Sequence, residues 1–95
     1  MFITIDIGTL VARSLDIGNN RPMIAGTKTS VRRIVALYKQ GADAEEIARR
    51  LNHLNLAQIY AALAYYHVNR DEVETDLAEE EDEYFRLEAL HSQKD

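Results

Sequence analysis

The hydrophobic period of this chain changes at Ser30, and that change limits what it can fold into. Downstream, Val31, Ile34, Val35 and Tyr38 recur at i, i+3, i+4 and i+7, one face of an α-helix. Ser30 stands where an N-cap belongs, and Gly41 stands where a helix stops in positive φ. Asp43 opens a second helix, with Glu46 three residues on as a capping box and Ala44, Ile47, Ala48 and Leu51 as its inward stripe. Asn55 and Gln58 form the same kind of pair ahead of a third helix carrying Leu56, Ile59, Leu63 and Tyr66. Asn69 with Glu72 marks one more break. The last helix then shows Val73, Leu77, Tyr84 and Leu87 at near-heptad spacing, with Glu80 in one apolar slot. So sparse a stripe does not hold a helix of about 20 residues by itself; it needs a surface to pack on.

Upstream of Ser30 the residues favour extended chain. Phe2, Ile3, Thr4, Ile5 and Ile7 are aromatic or β-branched, and Leu10 to Leu15 resume the pattern after Gly8. Gly18, Asn19 and Asn20 are turn residues, Pro22 holds Arg21 extended, and Met23 to Ala25 make a short apolar strand. A hairpin pairing residues 10–16 with 22–25 is the simplest arrangement. The expected fold is mainly α with a short N-terminal β-hairpin: hairpin and three helices over residues 1–68, and an acidic helix or tail over 69–95.

Charge follows the same division. Residues 1–70 carry nine Lys or Arg against five acids, a balance of +4, whereas residues 71–95 carry eleven acids against Arg86 and Lys94, a balance of −9. A basic body and an acidic end suggest surfaces for different partners; the plainer reading is a solvated acidic helix. The chain has no Cys, so thiol chemistry and disulfides are excluded. It has no apolar run long enough to span a membrane, and its start lacks the basic region of a signal peptide. A cytoplasmic protein is expected. Oligomerisation, most simply a homodimer, is expected to add stability to so short a chain.

Catalytic and metal chemistry find no support. His53, His67 and His91 share no ligand spacing, the carboxylates from Glu79 to Glu83 point in different directions around a helix, and no nucleophile–base set stands out. We expect no enzyme activity, no metal and no cofactor. The Pro22 to Thr27 run lacks the glycines and the Gly-Lys-Ser/Thr ending of a phosphate loop. Gly26 reads as a turn, Ile24 as core and Thr27 as a cap, with a phosphate contact as its alternative, while Tyr60, Tyr65 and Tyr66 read as core or dimer contacts rather than stacking platforms for bases.

Helices of about 10, 9 and 12 residues joined by short turns have helix-turn-helix proportions. The run Arg21-Pro22-Met23-Ile24-Ala25-Gly26-Thr27-Lys28-Thr29-Ser30-Val31 resembles the signature G-x-P-x-I-x-G-T-R-I-x-V of the family catalogued as domain of unknown function 433. Gly41, Ile47, Ala48, His53 to Leu56, Ile59 and Ala62 to Tyr65 continue the likeness, which spans roughly residues 10–78. Lys28 replaces the usual Arg, Thr29-Ser30 an Ile-Pro, and Asn19-Asn20 a Gly-Gly turn; Lys lacks the planar fork that grips a phosphate or carboxylate at two points. The resemblance implies a homeodomain-like helix-turn-helix protein similar to VapB-type antitoxins. It also implies operator DNA as one partner and a PIN-type ribonuclease toxin as another.

On that reading the third helix holds the recognition position, with Asn55 and Gln58 able to read adenine, although it contains no Lys or Arg. Both residues also serve as caps. Lys28, Arg32 and Arg33 flank the first helix and Arg49 and Arg50 end the second, five cations for a duplex backbone. For Arg49 and Arg50 the alternative is complementation of the helix dipole. In the acidic segment, Tyr84, Phe85 and Leu87, with Leu90, are the candidate toxin anchors. Arg86 either reaches the acidic metal cluster of the nuclease or pairs with Asp82 on its own helix. The expected function is an antitoxin-like DNA-binding protein that neutralises a PIN-type ribonuclease. The alternatives are a dimeric transcription regulator without a toxin and a dimeric scaffold that binds no DNA.

Overall fold

Four helices follow a two-stranded antiparallel hairpin in the computed structural model, which describes residues 7–13 and 20–92. Strand β1 (Val11–Ala12) pairs with β2 (Met23–Ile24), with Val11 opposite Ile24 and Ala12 opposite Met23. The expected strand over residues 2–6 and the turn residues Gly18 and Asn19 lie outside the described residues. Ile7–Leu10 form a turn of 3-10 helix rather than extended chain. Gly8 breaks the β-branched run there, and the turn packs on the third helix.

The link from hairpin to helix is a tight turn. Thr27 N–H donates to the Ile24 carbonyl at 3.0 Å, with Gly26 at φ 77°, a left-handed value that favours glycine. The Thr27 hydroxyl donates to the same carbonyl at 2.8 Å and accepts from Thr29 N–H at 3.0 Å, so Thr27 is spent inside the turn.

Helix α1 (Val31–Lys39) is capped by the Ser30 side chain, which accepts from Arg33 N–H, and ends ahead of Gly41 at φ 103°. Helix α2 (Ala44–Arg50) starts from Asp43, whose carboxylate accepts from Glu46 N–H. Glu46 does not return the bond, because its carboxylate pairs with Arg49 and Arg50 instead. Helix α3 (Leu56–Val68) carries a complete capping box and ends at Asn69. Helix α4 (Arg70–Ser92) runs 23 residues, or about 34 Å at 1.5 Å per residue.

The core lies between the hairpin and the helices. Ile24, Val31, Ile34, Val35, Ile47, Ile59 and Ala62 are fully buried, and Leu54, Tyr66 and Val73 join them. Four residues of the expected apolar stripes are exposed, Tyr38 at 39 % among them. Leu56 is 41 % exposed, because it lies on the outer face of α3 with Tyr60, Ala64 and Val68, beside the buried stripe of Ile59, Leu63 and Tyr66. Tyr84 and Leu87 are exposed because α4 leaves the body after Leu77. Every residue from Ala78 to Leu90 is exposed, and the molecule measures 67 × 29 × 24 Å.

Candidate functional site

The acidic helix is divided in two by what it touches. Its proximal half is built into the body. Val73 is in the core and Leu77 packs against it, while Glu72, Asp76 and Glu80 recur at i, i+4 and i+8 along the adjoining face. These carboxylates meet cations from the hairpin and α1. Arg13 bonds Glu72 and the Tyr65 hydroxyl, the latter at 2.7 Å. Arg21 Nε lies 2.9 Å from one Asp76 oxygen and 3.0 Å from the other, and Arg32 Nη1 adds a third bond to that carboxylate at 2.8 Å. Arg32 Nε reaches Glu80 at 2.9 Å. On the other flank, Lys39 Nζ lies 2.7 Å from both Glu74 oxygens, and the Tyr66 hydroxyl donates to Glu74 at 2.6 Å.

The electrostatics follow from these contacts. Hydrogen bonds from Lys39 and then Tyr66 hold the Glu74 carboxyl below the usual range. Burial, reinforced by the Glu72 carboxylate, pushes the Tyr65 hydroxyl up. Asp76 is the most enclosed carboxylate of the seam, 15 % exposed beneath two guanidiniums.

The residues singled out from sequence are not gathered into one nucleic-acid surface. Arg32 is turned into the seam with α4. Arg49 and Arg50 reach back to Glu46, at 2.5 and 3.0 Å, while staying exposed at the end of α2. Asn55 and Gln58 hold one another: Gln58 N–H donates to Asn55 Oδ1 at 2.9 Å, and Asn55 N–H donates to Gln58 Oε1 at 2.8 Å. Lys28 and Arg33 are exposed and form no ion pair among the described residues. Thr29 and His53 join the β2–α1 turn to the α2–α3 turn through a 2.7 Å hydrogen bond, which places Lys28 at the same end of the molecule as Arg50.

The distal half of α4 is the other candidate surface. Tyr84, Phe85, Leu87 and Leu90 are each more than half exposed, and the Tyr84 and Phe85 rings meet edge to face at 5.8 Å. Arg86 takes the local option, 3.6 Å from Asp82 one turn earlier. Between this arm and α1 runs a groove of about 630 Å³, lined by Arg33, Lys39, Leu77, Glu81, Tyr84 and Phe85. Among the described residues no group of three His, Asp or Glu side chains is placed to hold a metal ion. No helix among them is long and apolar enough to cross a membrane.

The seam was missed by the sequence reading. Arg13, Arg21, Asp76 and the Lys39–Glu74–Tyr66 set were not singled out, although the spacing of Glu72, Asp76 and Glu80 beside Val73 and Leu77 was there to be read.

A mainly helical body entered by a two-stranded hairpin and followed by a long helix is the class this structure defines. Over residues 11–66 the chain matches the family described as protein of unknown function (DUF433), and it belongs to that family. The match ends at Tyr66, ahead of α4. The crystal structure of a DUF433 member protein from Anabaena variabilis ATCC 29413 is similar, with a TM-score of 0.69 and 23 % sequence identity over 74 % of this chain and 69 % of that one. At that identity the likeness concerns the fold. No curated protein matches.

Proposed function

We propose that this protein is antitoxin-like, with a body that binds operator DNA through its phosphates and an acidic arm that neutralises a PIN-type ribonuclease. The observation that carries the reading is the distal half of α4. Aromatic and leucine side chains exposed among carboxylates are poorly suited to water. They suit a partner whose surface is basic and whose pockets are apolar, as the RNA-binding groove of a ribonuclease is. The proximal half fits the same reading, since it fastens the arm to the body.

The DNA half of the proposal is narrower than the sequence suggested. Asn55 and Gln58 satisfy each other, which favours phosphate contact over base reading. Arg32 is committed to α4, which leaves Lys28, Arg33, Arg49 and Arg50 as the phosphate contacts. The homeodomain-like helix-turn-helix reading rests on α2, the five-residue link Leu51 to Asn55, and α3.

Two experiments test the halves separately. The double variant Lys28→Ala, Arg33→Ala should weaken binding to every duplex tested and reduce the slope of log affinity against log salt by about 2 per bound chain. Unchanged binding by this variant, with loss on Gln58→Ala, overturns the phosphate reading. Tagged full-length chain purified from its own cells should bring down a small metal-dependent ribonuclease, whereas chain ending at Ala78 should not. Equal recovery with both chains rules out the arm.

A further inference from the structure

One face of α3 is apolar and open to solvent, and the arm does not reach it. Leu56, Ala57, Tyr60, Ala64, His67 and Val68 are all exposed, with Tyr60 at 57 % and Val68 at 81 %. Over these three turns the face carries no Lys, Arg, Asp or Glu, on a chain in which 28 % of residues are charged. Beside it a shallow groove of about 290 Å³ is lined by Gly8, Val11, Ala64 and Val68 among others, so the apolar surface continues onto the hairpin.

We infer that this face binds a second copy of the chain, with α3 lying antiparallel to the partner's α3 across a two-fold axis beside position 62. Two observations select a second copy over another partner. The first is charge. A two-fold contact sets a surface against itself, so any charged cluster would face its own sign. With a formal net charge of −5, two copies repel, and a face without Asp or Glu keeps that repulsion out of the contact. A partner recognised through ion pairs finds no charged side chain to meet on this face.

The second observation is size complementarity. The six exposed positions map onto themselves when the helix is reversed about position 62. Tyr60 then meets the partner's Ala64, Leu56 meets the partner's Val68, and Ala57 meets the partner's His67. Each bulky side chain faces a smaller one, and the Tyr60 ring enters the groove beside the partner's Ala64. Leu56, Tyr60, Ala64 and Val68 form one i±4 ridge. Tyr60 and the partner's Ala64, nearest the two-fold axis, make the closest approach. Helix α3 then serves as the subunit contact, so base reading cannot come from its exposed face.

The test uses the full chain. Light scattering at tens of micromolar should give twice the 10.8 kDa chain mass, and Ala64→Glu should weaken association by about a hundredfold or more while helix content is kept. A mixture of Tyr60→Cys and Ala64→Cys chains, differently tagged, should oxidise to the mixed disulfide faster than either chain cross-links to itself. The chain has no other Cys to confuse the result. A monomeric wild type, an Ala64→Glu dimer of unchanged affinity, or equal self- and cross-linking would each overturn the inference. The cysteine pair decides the matter even if Ala64→Glu fails to fold.

Discussion

Asp76→Ala is expected to destabilise the folded chain by about 2–4 kcal/mol and to lower its melting temperature by roughly 10–20 °C. The carboxylate accepts from both Arg21 and Arg32, and all three side chains are largely withdrawn from water, at 24, 16 and 15 % exposure in the order Arg21, Arg32, Asp76. An exposed surface pair would be worth less than about 1 kcal/mol. Here, removal of the acid leaves two half-desolvated guanidiniums close together without the negative charge between them. Arg32 retains Glu80, which is half exposed and compensates only in part. The same change at Glu81, on the exposed stretch of α4, should shift stability by no more than about 0.5 kcal/mol. Thermal melts followed by circular dichroism check both; equal melting temperatures for the Asp76 and Glu81 variants would show that the seam does not hold α4 to the body.

Local chemistry made the helical part of the fold legible. Ser30, Asp43, Asn55 and Asn69 mark helix boundaries because each offers a short side chain or a bent backbone where the ladder begins or ends. Gly41 and Gly26 mark turns because both sit at positive φ. The stripe Val31, Ile34, Val35 reads directly as core because one helix face is buried by its neighbours. The β-branched neighbours of Ile7–Leu10 favour extended chain, whereas the segment forms a 3-10 turn packed on α3.

The site was harder to read, for a physical reason. The acids of residues 71–95 look alike in a charge count, but Val73 and Leu77 fix which face of α4 meets the body. That fixes which acids meet cations of the hairpin and α1: Glu72, Glu74, Asp76 and Glu80 do, and the arm beyond them stays exposed. Ion pairs between residues 35 to 59 positions apart leave no local signature. Asn55 and Gln58 carried a double reading because the groups that cap a helix are also groups that read adenine; the capping box shows where their hydrogen bonds go.

The second large effect concerns the arm. The triple variant Tyr84→Ala, Phe85→Ala, Leu87→Ala should lose partner affinity by about a thousandfold or more, since buried aromatic anchors at an interface each contribute roughly 2 kcal/mol or more. The three side chains are 53 to 62 % exposed in the isolated chain, so its melting temperature should stay within a few degrees. This separates a binding role from a folding role, which truncation alone does less cleanly.

The most direct measurement of the proposal is RNA cleavage by a nuclease recovered with the tagged protein, assayed with equimolar intact chain or triple variant. The account predicts that the intact chain suppresses cleavage, that the triple variant leaves it near the uninhibited rate, and that Lys28→Ala, Arg33→Ala suppresses it as fully as the intact chain does. Equal suppression by the intact chain and the triple variant would contradict the account, because the body would then be the inhibitor and the arm a bystander.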